Sequence, residues 1–167
     1  ARRDHCSGGG GVSDAAPTGL VESRPETAYF WGHVAGAGEI AEDRLTVEAP
    51  DEACAERLAA IAGGGSIDHD RTERAYAHDT DLTKTEDEYT VTVTGGVAAR
   101  GSAAFGLPTG DEEGGYRFDV FEQHRRQLLR GLLESCGTVC FKSSAGVVGI
   151  SFVHDDKTLL ETIDQLL

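Results

Sequence analysis

A chain of 167 residues can bury a core in one domain or in two small halves. It carries 29 acidic against 15 basic residues, a net charge of −14, and three of the basic residues are lysines (Lys84, Lys142, Lys157). That balance reads as an adaptation to the solvent, since salt screens carboxylate repulsion; no apolar run approaches the roughly 18 residues of a membrane span, so no membrane partner is expected.

Residues 1–24 hold four glycines in a row, Gly8 to Gly11, and no hydrophobic periodicity; they read as a flexible tail. The run lacks the Lys-Ser/Thr of a phosphate loop and no strand precedes it. The chain does not begin with methionine and is read as a fragment or a processed product.

Pro25 and Glu26 suit the first turn of a helix over 25–37. Tyr29, Phe30, Trp31 and Val34 give it apolar bulk, an amphipathic pattern is expected, and Gly38 ends it. A short extended piece at 39–41, a turn at Glu42–Asp43 and a strand at 44–49 follow. Pro50 and Asp51 open a helix over 51–62, which Gly63 to Gly65 stop.

Two long strands are expected at 66–77 and 85–94, joined by a polar turn region at 78–84. Tyr89, Val91 and Val93 share one face of the second, and Tyr89 is assigned to the core. A small-residue helix at 96–106 comes next, and 108–116 read as a linker. A long helix spans 119–136, with Leu128, Leu129, Leu132 and Leu133 as its stripe and Gly137 as its end. Strands at 138–143 and 147–153 make a hairpin, and Asp155–Asp156 start a last helix.

The two halves repeat one another. Gly32 and Gly38 stand six residues apart, as do Gly131 and Gly137, both at an offset of 99. Asp51, Leu58 and Ile61 recur as Asp156, Ile163 and Leu166 at an offset of 105, which a longer second hairpin absorbs. Gly32 and Gly36 share one helix face, and Gly131 and Ser135 hold the equivalent positions. Small residues there let two helix axes approach below the usual spacing of about 8–10 Å. The two helices are therefore expected to pack on each other about a pseudo-twofold axis.

The segments Phe30–Gly38 (FWGHVAGAG) and Leu129–Gly137 (LRGLLESCG), each followed by strands and a helix, resemble the LAGLIDADG homing-endonuclease family over residues 25–167. The resemblance implies an α/β (α+β) fold of two αββαββα repeats with a central pair of close-packed helices. Residues 25–107 form the first repeat, 108–116 the linker, and 117–167 a second repeat that stops after its second helix. The interface residues it implies are Gly32, Gly36, Gly38, Gly131, Ser135 and Gly137. In that family a metal-binding carboxylate precedes the last glycine of each motif, so that divalent cations sit between the scissile phosphates.

Here those positions are Ala37 and Cys136. Alanine has no ligand atom, and a thiol is a poor ligand for a hard cation such as Mg²⁺. Glu39 and Glu134 stand two residues away, about 200° around a helix, so neither replaces the missing acid. No catalytic residue and no cofactor is expected; a residual nuclease would use Mg²⁺ with Glu39 and Glu134.

What the resemblance leaves is a nucleic-acid-binding face. The candidates are Arg44, His69, Arg71, Arg74, Lys84 and Lys142, with His78 beside them and Tyr76 a candidate for stacking. His69 and Arg71 alternate onto one face and Arg74 onto the other. Both strand candidates also read as a solvated face balanced by Asp68, Asp70 and Glu73. A second basic run, His124–Arg126 with Arg130, reads as the exposed face of the long helix, paired with Glu122 and Glu134.

Four cysteines occur: Cys6, Cys54, Cys136 and Cys140. With no signal peptide, a reducing cytoplasm is expected. The C-x3-C pair Cys136/Cys140, with His124 and His154 as recruits, is a weak zinc signature, and the thiols read as buried and structural. His33 reads as a space-filling residue near the helix interface. The lysine-poor, acidic composition resembles that of haloarchaeal proteins. The reading is an inactive DNA- or RNA-binding regulator of a halophilic archaeon. The alternatives are an interaction module that takes a protein partner or a second copy of the chain, and a residual metal-dependent endonuclease.

Overall fold

The computed structural model describes residues 18–76 and 79–167. The tail at 1–17, with Cys6, lies outside the described residues, and so do His78 and the side chain of Tyr76.

Helix α1 runs from Pro25 to Ala37. Its entry is fixed by Pro25 in the first turn and by the Arg24 amide, which donates to Thr27 Oγ1 at 3.0 Å. Every residue from Thr27 to Gly36 is buried, so the helix is enclosed on all sides and the expected amphipathic pattern is corrected. It is the central post of the fold, and both halves pack on it.

Strand β1 (Gly38–Ile40) continues directly from α1 and pairs antiparallel with β2 (Arg44–Ala49). Leu45, Val47 and Ala49 point into the core while alternate residues face out. Helix α2 (Glu52–Ile61) is capped by Asp51, whose Oδ1 accepts from the Cys54 amide at 2.8 Å. Gly63 and Gly64, at φ 78° and 132°, turn the chain out of it.

Strands β3 (Ser66–Tyr76) and β4 (Asp79–Thr94) complete a sheet of order β1-β2-β4-β3. β4 begins at Asp79, so 79–84, expected as part of a turn, are ladder: Arg74 pairs with Lys84 and Ala75 with Thr83. Residues 71–75 and 83–85 are exposed, and no apolar period marks these ends as strand.

Helix α3 (Val97–Phe105) lies against β1, β2 and β4. Its Gly101 admits the Trp31 ring: a Cβ there would come within 2.8 Å of Trp31 Cζ2. Gly106 ends α3 at φ 64°. The stretch read as a linker closes on the core, since Tyr116 is buried and donates to Asp156 Oδ2 at 2.6 Å.

The long second-half helix is two elements. Asp119–His124 are 3₁₀ and only Arg125–Cys136 (α4) are α-helical, which corrects the single helix expected over 119–136. Phe121 is buried against Phe105, with centroids 4.9 Å apart, and its amide bonds to Phe118 O at 2.9 Å. Strands β5 (Gly137–Lys142) and β6 (Val147–Phe152) form a second, two-stranded sheet, followed by α5 (Lys157–Leu166). Asp156 caps α5 as Asp51 caps α2, its Oδ1 accepting from the Thr158 amide at 2.8 Å.

The core joins the halves through Phe30, Trp31, Leu58, Leu128, Leu132, Leu159 and Ile163. No helix among the described residues is long and apolar enough to cross a membrane.

Candidate functional site

The site is built around the contact of α1 with α4. A Cβ on Gly131 would lie 3.1 Å from Gly32 Cα and 3.0 Å from the His33 amide nitrogen. A Cβ on Gly32 would run into Leu128 O and lie 3.1 Å from the Leu132 amide nitrogen. Backbone touches backbone here, an approach open only to glycine. One turn on, Gly36 faces the Ser135 side chain and Cys136 Sγ, the latter 3.1 Å from a built Cβ.

Gly38 and Gly137 take nearly the same backbone angles, φ −106° and ψ 155° against φ −105° and ψ 163°. Both pass straight from helix to strand. Neither needs glycine for a positive φ; each is crowded by the turn before it, where a Cβ would stand 2.8 Å from Val34 Cα or Leu133 Cα.

Ala37 and Cys136 stand at these two helix ends, and neither offers a carboxylate. Glu39 is exposed on β1 opposite Thr46, on the outer face of the four-stranded sheet, where it borders a depression with Ala37, Glu48 and Thr90. Glu134 turns elsewhere. Tyr29 Oη donates to its Oε2 at 2.6 Å, Arg130 Nε donates to its Oε1 at 2.6 Å, and His33 Nε2 lies 3.4 Å from Oε2. Glu39 and Glu134 therefore share no partner among the described residues.

Around Glu134 lies a polar cluster enclosed by α1, α2 and α4. Cys54 Sγ is 3.4 Å from Tyr29 Oη and 3.6 Å from His33 Nε2, and Arg57 donates to Tyr29 Oη at 3.2 Å. Arg57 and Arg130 also lie over the Tyr29 ring, 5.5 and 5.6 Å from its centroid. Burial holds His33 below the usual imidazole range, against the pull of Glu134. Burial pushes the Tyr29 hydroxyl and the Cys54 thiol up. Burial alone would raise the Glu134 carboxyl, but hydrogen bonds from Tyr29, Arg130 and His33 together hold it below its ordinary value.

This cluster is what sequence reasoning missed. His33 is fully buried, yet it does more than fill space, because its Nε2 faces Glu134 and Cys54. The residues come from three helices and share no motif spacing. The other thiols also correct the expectation of buried cysteines: Cys140 is exposed and Cys136 half-buried, and among the described residues only Cys54 is a buried cysteine.

The cationic candidates divide by strand parity. His69 and Arg71 share the face of Tyr89 and Val91, where both meet Asp87 Oδ1, at 2.8 and 2.9 Å. The Arg71 guanidinium and His69 together hold the Asp87 carboxyl below its usual range. Tyr89 is half-buried on the core edge and stacks on His69, with centroids 4.5 Å apart. Arg74 and Lys84 lie on the outer face, both near Glu86, at 3.8 and 2.7 Å. Asp68, Asp70 and Glu88 share that outer face, and Arg44 joins it from β2. Lys142 is on β5, in the other sheet. On α4, Arg130 and Glu134 make the i,i+4 pair expected of an exposed helix face.

An α+β chain with two glycine-faced helices at its centre, each running into an antiparallel hairpin, is a LAGLIDADG-type fold. The chain belongs to that family: residues 9–167 match the LAGLIDADG family described as "Putative archaeal homing endonuclease". No curated protein matches the chain at a significant level.

Proposed function

We propose that the chain is a nuclease-silent member of the homing-endonuclease family that works by binding, with the outer face of its four-stranded sheet as a nucleic-acid-binding, regulatory surface. The observation that carries this reading is at the two motif ends. Ala37 and Cys136 supply no hard oxygen ligand there, Glu134 is engaged by Tyr29, His33 and Arg130, and Glu39 stands apart on the sheet. Metal-dependent cleavage needs two acids converging on one place, and these two diverge.

Binding is a matter of charge as well as shape. Phosphate-driven affinity falls steeply with salt, and the outer face mixes Arg44, Arg74 and Lys84 with more numerous carboxylates. The test is duplex DNA and RNA binding across a KCl series up to molar salt, using Arg74→Glu and Lys84→Glu on the outer face and Arg71→Glu on the other. The outer-face variants should weaken binding more than Arg71→Glu. Plasmid incubated with Mg²⁺ or Mn²⁺ should stay intact; cutting that disappears in Glu39→Gln or Glu134→Gln overturns the silent reading.

A second reading, a protein-interaction module, draws on the second sheet. Val139, Phe141, Val148 and Ile150 share one face of β5–β6 and are 54–69 % exposed. An apolar face beside an unpaired strand edge suits a protein partner. No binding to either nucleic acid at any salt would favour this reading over the first.

A further inference from the structure

The structure assigns a transition-metal site to His33, Cys54 and Glu134: we infer that their Nε2, Sγ and Oε2 atoms hold one zinc-class divalent cation that clamps α1, α2 and α4 together. The three ligand atoms all lie within 4.8 Å of one another. Zinc binds Cys sulfur at about 2.3 Å and His nitrogen or carboxylate oxygen at about 2.0–2.2 Å, which puts neighbouring ligands of a tetrahedron roughly 3.3–3.6 Å apart. His33 Nε2 to Glu134 Oε2 is 3.4 Å and His33 Nε2 to Cys54 Sγ is 3.6 Å. Two edges of a zinc tetrahedron are thus present before any ion enters, and the third pair, Cys54 Sγ and Glu134 Oε2, lies within 4.8 Å.

The chemistry of the set agrees. A thiol and an imidazole select a borderline-soft cation over Mg²⁺ or Ca²⁺. Thiolate and carboxylate together carry the two negative charges that a divalent ion needs. Binding releases the Cys54 thiol proton to solvent and shifts the neutral imidazole's proton from Nε2, where it faces Glu134, to Nδ1. Nδ1 is buried without a hydrogen-bond partner, so every partner of the ring lies on the Nε2 side, within the cluster. The Tyr29 hydroxyl lies beside two of the ligand atoms, 2.6 Å from Oε2 and 3.4 Å from Sγ. Arg130 holds the other carboxylate oxygen and so fixes how Oε2 is presented. His33 is fully enclosed, while the Glu134 side chain is 28 % exposed and gives the ion its way in.

This site differs in place and ligand type from the acids the family sets before its last motif glycines. It uses α2, and two of its ligands are nitrogen and sulfur. Because it spans both halves, a bound ion raises stability by mass action.

The test uses the full chain, stripped with chelator and titrated with Co²⁺ as the spectroscopic probe. One Co²⁺ per chain should bind with a thiolate-to-cobalt charge-transfer band and tetrahedral d–d absorption, and Zn²⁺ should displace it. A variant carrying Cys6→Ser, Cys136→Ser and Cys140→Ser should keep the band, and Cys54→Ser should lose it. Glu134→Gln, a near-isosteric change at a partly exposed side chain, should weaken Co²⁺ binding at least tenfold while the far-UV circular dichroism stays unchanged. Absence of the band in the unmodified chain, its survival in Cys54→Ser, or unchanged affinity in Glu134→Gln overturns the site.

Discussion

Gly131 rests on Gly32 so closely that a methyl group on the first would stand 3.1 Å from the Cα of the second. The cost of glycine inside two helices, roughly 0.5–1 kcal/mol each, is offset by this contact. It lets the Leu128 and Leu132 side chains reach the core that Phe30 and Trp31 fill from the other half.

Gly32→Ala should therefore destabilise the chain by about 1–3 kcal/mol, because the new methyl meets backbone that cannot rotate away. Gly36→Ala should cost less, since its nearest obstacle is the Ser135 side chain. Denaturant midpoints of the two variants check the order. A Gly32→Ala chain more stable than the parent would show that the helices do not touch here.

Ile40 and Val139 hold equivalent places after the two motif glycines, yet Ile40 is 4 % exposed and Val139 57 %. Ile40→Ala should cost about 2–5 kcal/mol, as for a buried aliphatic side chain. Val139→Ala should change stability by less than about 0.5 kcal/mol. Equal losses on thermal melting would mean that the second sheet is covered in solution.

Tyr29→Phe removes one hydroxyl that donates to Glu134 and receives a bond from Arg57. The Glu134 carboxylate would lose one of its three donors in a half-buried place, at a cost of about 1–3 kcal/mol. Glu134→Gln combined with Tyr29→Phe should cost less than the sum of the single changes. A double-mutant cycle with no coupling would place the two residues in separate networks.

The bond from Tyr116 to Asp156 sets a pH dependence. Burial alone would raise the Asp156 carboxyl, but hydrogen bonds from Tyr116 and the start of α5 hold it below its ordinary 3.8. A depressed folded value means that its stabilisation is present above the unfolded value and is lost as pH falls through the folded one. Tyr116 is raised by burial and by Asp156, so its contribution is present below its ordinary 10.0 and fades as pH rises above that. Asp156→Asn should flatten the acid limb of stability against pH, and Tyr116→Phe the alkaline limb. Limbs unchanged in both variants would separate this pair from the pH response.

Much of the fold was legible because local chemistry was consistent. Asp51 and Asp156 read as helix starts and both accept an amide bond there. Gly38 and Gly137 read as motif ends, and both sit at a helix-to-strand junction. The reading failed where no local signal exists. The ends of β3 and β4 lack an alternating apolar pattern. The 3₁₀ turn at Asp119–His124 is set by Phe121 meeting Phe105, a contact between distant residues.

By itself, the sequence determined the spacing of the two glycine pairs, the order of helices and strands, and the lack of acids at the two motif ends, because periodicity, caps and glycine spacing act within a few residues. The tertiary structure alone decided that His33, Cys54 and Glu134 meet, that α1 is enclosed on every side, and that Lys84 pairs with Arg74 on one face of the sheet. Those facts depend on how three helices cross and which strand residues pair, and such contacts join positions that share no local pattern.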